Sequence, residues 1–334
     1  MHHAHEAQLG RSGPIVTSLA LGTSALGGLF APVSTDQAHA TVAAALDRGL
    51  RYIDTAPLYG FGRSEQLVGE VLALVPRESY VISTKVGRLV KDDPAEFERM
   101  PEGMWHGTGR RKVAFDFSRD GIRRSLSESL ERLGLDHVDI AYLHDPDDAL
   151  EQAISEAFPA LAELRDEGLV HAIGAGMNDP VALARIVGST RPDCVLIAGR
   201  YTLLDQSAQR DLFPLCVREG VGVVVGGVFN SGILADPVPG ARFDYVEAEP
   251  AVLERAQQLA RICASYGVAL SAAAIQFPCR HAAVDSVLTG VRSTSELDES
   301  ISGFDAPIPG ELWDELERNG LVEPHAMPTA GSRR

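Results

Sequence analysis

Cysteine is scarce in this chain. The four cysteines among 334 residues, at 194, 216, 263 and 279, form no CxxC pair. That spacing excludes a zinc ribbon or a disulfide frame and leaves small buried residues of a reducing compartment. Positive charge is also short, with 30 Lys and Arg against 46 Asp and Glu and a formal net charge of −16. Such a surface repels phosphate backbones, so nucleic acid is set aside as a partner. No apolar run reaches the length of a membrane span, and no basic stretch followed by an apolar one opens the chain. The expected location is the cytoplasm, with no membrane partner. There is no internal repeat and no low-complexity linker. The GxGxxG fingerprint of dinucleotide-binding open sheets is missing too, because GTSALGG (22–28) lacks its spacing. MHHAHE gathers three histidines at the start, where a mobile terminus is a simpler reading than a metal site.

What the chain does contain is alternation. Apolar strand-like runs stand at 18–23, 51–56, 80–87, 138–145, 170–178, 194–201, 220–228 and 285–291. Between them lie helical patterns at 36–49, 64–75, 117–134, 149–168, 179–188, 205–219, 251–266, 271–277 and 294–302. Pro159 is expected to bend or restart the helix that contains it, and Asp179 followed by Pro180 reads as a helix cap. Most of the strands are continuous apolar runs, which suit a parallel sheet covered on both faces. Eight strand–helix units in one chain predict an α/β fold of the (β/α)8 TIM-barrel type. One domain over 1–334 is the economical division, with 1–10 and 323–334 expected to be loose. The segment 88–116 reads as a long irregular loop after the third strand.

In such a barrel the chemistry sits where strands end. Asp54 and Tyr59 follow the second strand, Lys85 lies late in the third (ISTKVG), and His144 ends the fourth (AYLHDPDD). Each alone has a bland reading, as a cap, a half-buried aromatic, a surface lysine or a core histidine. Four such accidents would have to share one rim. Their chemistry also fits together. An ammonium beside a phenol favours the phenolate and lowers its pKa from about 10. A carboxylate keeps that ammonium charged despite burial, and a histidine can orient a carbonyl or hydroxyl. None of these groups carries a hydride, so a nicotinamide cofactor is implied. Its phosphates are expected near strands seven and eight, at GGVFNSGIL (226–234) and TGVRSTSELDES (289–300), where backbone N–H groups and a helix N-terminus can receive them.

With those residues in place, the sequence resembles the aldo-keto reductase superfamily. The resemblance runs from LGTSALGG to STSELDES and is most specific in YIDTAPLYGFGRSEQLVGEVL, in the lysine of STKVG, and in SLERLGLDHVDIAYLHDPDD. It implies a catalytic tetrad of Asp54, Tyr59, Lys85 and His144. HDPDD and GGVFNSGIL resemble a narrower branch that includes D-threo-aldose 1-dehydrogenase, L-fucose dehydrogenase and pyridoxal 4-dehydrogenase. That branch implies oxidation of a cyclic hemiacetal to a lactone with NAD. The cofactor positions that follow are Gly22, Thr23, Asn178, Phe229, Ser231, Gly232, Leu234, Gly290, Arg292, Glu296 and Ser300. Three depart from the wider family pattern. Asn178 in GAGMND replaces a Ser-Asn pair, Gly226 stands where an aromatic stacks on nicotinamide, so that Phe229 is expected to cover the ring, and Glu296 stands where NADP users carry Arg. Glu296 would repel a 2′-phosphate and favour NAD, whereas Arg292 would attract one. Phe61, Trp105 and His106 are the candidate substrate contacts. The competing expectations are an NADPH-dependent aldehyde or ketone reductase of broad scope and a non-catalytic, cofactor-sensing module. The oligomeric state is not legible.

Overall fold

The computed structural model describes residues 1–92 and 103–324. Part of the 88–116 segment and most of the C-terminal tail thus lie outside the described residues. Eight strands form a closed barrel. They are β1 (Leu19–Gly22), β2 (Tyr52–Asp54), β3 (Val81–Val86), β4 (Val138–His144), β5 (Val170–Met177), β6 (Cys194–Ala198), β7 (Gly222–Gly226) and β8 (Val284–Gly290). Neighbours in sequence are neighbours in the barrel, every pairing is parallel, and β8 closes onto β1. This is the expected (β/α)8 architecture.

Side chains alternate along a strand, and here the inward set is polar near the rim. Tyr52 and Asp54, Ser83 and Lys85, and Tyr142 and His144 are all buried on β2, β3 and β4. The register sets Asp54 opposite Ser83 and Lys85 opposite Tyr142. Deeper in the barrel, Ala20, Ile140, Ala172, Leu196, Val224 and Leu288 form an apolar plug together with Tyr52, Tyr142 and Cys194. A larger apolar layer lies between the strands and the surrounding helices. Helix starts follow the local chemistry. Ser34, Ser118, Asp179 and Ser293 each cap a helix N-terminus with a side-chain oxygen. A π-type turn over Ala153–Ala157 leads directly into Phe158–Asp166, so Pro159 interrupts its helix as expected.

Several elements depart from the sequence reading. Residues 1–10, expected to be loose, are anchored. Glu6–Gln8 pairs with Ile15–Thr17, and Leu9 and Val16 are fully buried in the same cluster as the barrel interior, closing its base. His3 is bound at both ring nitrogens, to Asp305 Oδ2 at 2.6 Å and to the Arg48 carbonyl at 2.9 Å. The 88–116 segment contains an antiparallel hairpin, Arg88–Asp92 with Arg111–Phe115, and a second hairpin pairs Arg242–Phe243 with Val246–Glu247. A helix at Gly310–Arg318 was also not anticipated. No single helix among the described residues is long and apolar enough to cross a membrane.

The glycines of GTSALGG serve packing. Gly60 has φ +63°, and a Cβ there would sit 2.2 Å from the Gly27 carbonyl oxygen, while one at Gly27 would meet the Tyr59 backbone at 2.7 Å. The loops after β1 and β2 therefore touch backbone to backbone, which seats Tyr59. Gly60→Ala is expected to cost about 2–4 kcal/mol through left-handed strain plus overpacking. Urea denaturation checks this, and a cost under about 0.5 kcal/mol would mean that the loops do not pack this way.

Candidate active site

β2 ends at Asp54, and Tyr59 follows on the loop into helix Arg63–Leu72. Lys85 Nζ is the hub. It donates to Asp54 Oδ2 at 2.6 Å, to the Thr55 carbonyl at 3.0 Å and to Tyr59 Oη at 3.0 Å. All three of its donors are thus engaged. The other oxygen of Asp54 accepts from Ser83 Oγ at 2.7 Å. Lys85 and Asp54 expose only 2% of their side chains each. His144 stands edge-on to the Tyr59 ring at 6.0 Å, and Trp105 stacks on that ring at 6.1 Å. The four tetrad residues come together from three adjacent strands.

Charge follows from this geometry. Burial works against the Lys85 ammonium, but Asp54 and Tyr59 outweigh it and lift the group to about 12. Lys85 is therefore charged. Burial raises the Tyr59 phenol, and Lys85 opposes without cancelling the shift. The expectation that the lysine would win is corrected in the free site: desolvation is the larger effect, and Tyr59 holds its proton at neutral pH. Burial, then Arg88 and Lys85, push His144 well below its ordinary range, so its imidazole is neutral. His144 Nδ1 is buried and has no hydrogen-bond partner. A buried ring nitrogen left unpaired is costly unless something else bonds to it, and an oxygen of a bound substrate can.

The cofactor candidates fall into two groups. Asn178 is exposed just past β5, and its carbonyl accepts from Arg200 Nε at 3.0 Å. Gly232 and Gly290 have open space where a Cβ would stand, apart from Ser24 Oγ at 4.0 Å from the latter. Phe229 is half-buried, and Ser231 Oγ accepts from the Tyr245 amide at 3.0 Å. Leu234, Ser300 and Thr23 are buried. Leu234 is wholly buried in the outer core. Ser300 Oγ bonds Thr289 Oγ1 at 3.2 Å, and Thr23 Oγ1 donates to the Asp54 carbonyl at 2.8 Å next to Gly22. Glu296, expected to face a ribose, accepts from the amide and Nε of Arg292 at 2.8 and 3.3 Å. The two residues argued for opposite cofactors thus pair with each other. Phe61 lies against Trp105 at 6.3 Å, and His106 donates its amide to the Gly28 carbonyl at 3.0 Å.

Three further residues escaped the sequence reading. Ser83 fixes Asp54 and was readable two places before Lys85. Arg88 donates to Asp145 Oδ2 at 3.0 Å beside His144. Asn230, with φ +44°, buries an Oδ1 that accepts no hydrogen bond while its Nδ2 holds the Gly199 carbonyl at 3.2 Å. That unpaired atom, the open glycines and the capped helix Thr294–Asp305 fit a nicotinamide dinucleotide lying between the ends of β7 and β8.

A buried lysine bonded to a tyrosine at the barrel rim is an arrangement that can move a proton to or from a hydroxyl or carbonyl. Residues 18–319 match the Aldo/keto reductase family, and the chain belongs to it. The chain is 42% identical over 332 residues to pyridoxal 4-dehydrogenase from Microbacterium luteolum, covering 94% of this chain and 97% of that protein. It is 41% identical over 319 residues to D-threo-aldose 1-dehydrogenase from Pseudomonas sp, covering 93% and 96%. Among solved structures it resembles the holo form of aldo-keto reductase AKR11C1 from Bacillus halodurans, with TM-score 0.74, 25% identity, and 99% and 100% coverage.

Because the Lys85–Asp54 pair is buried, removing one partner strands a charge. Asp54→Asn is expected to cost about 3–5 kcal/mol, and Lys85→Met added to it to recover most of that loss without restoring turnover. Chemical denaturation and initial rates together check this, and a double variant no more stable than Asp54→Asn would contradict it.

Proposed function

We propose that the protein oxidises a cyclic hemiacetal, an aldose such as L-fucose or D-arabinose or the vitamer pyridoxal, to a lactone with NAD. The observation that carries the reading is the buried Asp54–Lys85–Tyr59 contact, with Lys85 Nζ 3.0 Å from Tyr59 Oη. Binding alone needs no such relay, which speaks against a cofactor-sensing module. The names of the two curated relatives supply the substrate class.

Tyr59 Oη takes the proton of the anomeric hydroxyl. The Lys85 ammonium stabilises the phenolate that Tyr59 must be before it accepts this proton and becomes the phenol, and Asp54 keeps that ammonium in place. Neutral His144 offers its unpaired ring nitrogen to the same substrate oxygen, fixing the hydroxyl against Tyr59. Phe61 and Trp105 line the apolar wall beside it. The bound nicotinamide supplies the hydride acceptor. Tyr59 must lose its proton for oxidation, and its pKa lies above the ordinary range. The rate of oxidation therefore rises with pH. The protonated phenol of the free site suits reduction at neutral pH, and this observation keeps an aldehyde or ketone reductase as the second reading.

NAD is preferred over NADP on charge. Glu296 neutralises Arg292 at the start of helix Thr294–Asp305, leaving no uncommitted cation of that pair for a 2′-phosphate. Initial rates with L-fucose, D-arabinose and pyridoxal, each with NAD and NADP, test the reading. Turnover of at least one with a clear NAD preference is expected. Glu296→Gln should raise kcat/KM for NADP by about tenfold by freeing Arg292. Tyr59→Phe should lower kcat by about 10³-fold while NAD affinity stays within a factor of about two. Turnover of simple aldehydes with NADPH alone would favour the reductase. Binding of NAD without turnover of any substrate would favour the module.

A further inference from the structure

The tip of the hairpin between Arg242–Phe243 and Val246–Glu247 is Asp244–Tyr245, with φ of +48° and +69°. Two consecutive left-handed residues make a turn of type I′, whose usual occupants are Asn-Gly. A tyrosine there is strained, and such strain persists only where contacts around it enforce the shape.

Those contacts are present. The Tyr245 amide donates to Ser231 Oγ at 3.0 Å. Asp244 accepts from Arg200 Nη1 at 2.9 Å, and Arg200 in turn holds the Asn178 carbonyl. The Arg242 guanidinium lies 4.8 Å over the Phe30 ring, and that ring is 6.1 Å from Tyr245. The Phe30 amide is bonded to the Met104 carbonyl at 2.8 Å, one residue before the Trp105 that stacks on Tyr59. The hairpin thus reaches from the loop after β7 to the loop after β1, where Tyr245 meets Phe30, whose amide is tied to the residue before Trp105.

Tyr245 is 44% exposed. Its hydroxyl is nonetheless pushed up to about 12, first by burial and then by Tyr59, Asp145 and Asp244. The ring is thus open to solvent on one side, with Tyr59 and two carboxylates among its electrostatic neighbours on the other.

We propose that Tyr245 is a substrate-contacting residue that determines specificity. Its ring covers one face of a six-membered substrate ring held at Tyr59, and its hydroxyl bonds a substituent away from the reacting carbon. The inference rests on the oxidation proposed above. It assigns the hairpin tip to the substrate.

The test compares Tyr245→Phe, Tyr245→Ala and Tyr245→Gly with the parent protein. Readouts are kcat and KM for L-fucose and pyridoxal, NAD affinity by quenching of protein fluorescence, and the thermal midpoint. Tyr245→Phe is expected to raise KM for the hydroxyl-rich sugar about tenfold. Tyr245→Ala is expected to raise KM for both substrates about tenfold or more, with NAD affinity changed less than about twofold. Tyr245→Gly should match Tyr245→Ala in KM with a midpoint no lower, because glycine relieves the strained φ and keeps the protein folded. Unchanged KM in Tyr245→Ala and Tyr245→Gly overturns the inference while the oxidation reading stands. A loss confined to NAD affinity also overturns it, because the hairpin then covers cofactor. An unchanged sugar KM in Tyr245→Phe overturns the hydroxyl contact. Absence of turnover in the parent across the panel overturns inference and reading together.

Discussion

The buried ion pair between Lys85 and Asp54 is the contact on which the rest of the site depends. An ammonium taken out of water costs several kcal/mol unless it is paired and fully hydrogen-bonded. Here every donor of Lys85 is used, one on a carboxylate, one on a backbone carbonyl and one on the reacting phenol. The pair constrains the barrel as well. A slip of one residue in the β2–β3 register would turn Lys85 toward the helices and strand it among apolar side chains. Correct pairing of these strands and assembly of the site are therefore one event.

The pair also ends a column of polar groups running through the barrel. Cys194 Sγ lies 3.6 Å from Tyr142 Oη, Tyr142 Oη lies 3.2 Å from Tyr52 Oη, and Tyr52 Oη lies 3.1 Å from Ser83 Oγ, which reaches Asp54. Satisfied networks of this kind in a low-dielectric interior hold each member in one orientation. The carboxylate has little freedom left, and the lysine it holds keeps its remaining donors on the Thr55 carbonyl and Tyr59 Oη. His144 completes the asymmetry. Burial first, and then Arg88 and Lys85, hold the histidine neutral, and its Nδ1 has no hydrogen-bond partner. One rim thus carries a fixed positive charge, a protonated phenol and a neutral hydrogen-bonding group.

The barrel was legible because eight apolar runs alternate with amphipathic ones, and that pattern has few folded solutions. Asp54, Tyr59, Lys85 and His144 were legible because strand ends mark them, and because a lysine inside VISTKVG sits awkwardly with any bland reading. Lysine is also rare here, with three in the whole chain. Contacts set by long-range geometry were not legible. Glu296 and Arg292 argue for opposite cofactors in the sequence, and spacing alone does not show that they pair with each other. The direction of the Tyr59 shift needed the balance of burial against Lys85, which residue spacing does not contain. Tyr245 lies in a segment rich in Pro and Gly, and only folding brings it near Tyr59. The hairpin at Arg88–Asp92 escaped because its partner strand lies about twenty residues away.

The central claim is that burial and Lys85 contest the Tyr59 proton, with burial ahead in the free site. It is tested most directly by ¹³C NMR of protein labelled at tyrosine Cζ and titrated with pH. The chain has seven tyrosines, and Tyr59→Phe identifies the signal. The account predicts that Tyr59 titrates above the value of about 10 for free tyrosine, and higher still in Lys85→Met. Titration of Tyr59 below about 9, or no movement on replacing Lys85, would contradict it.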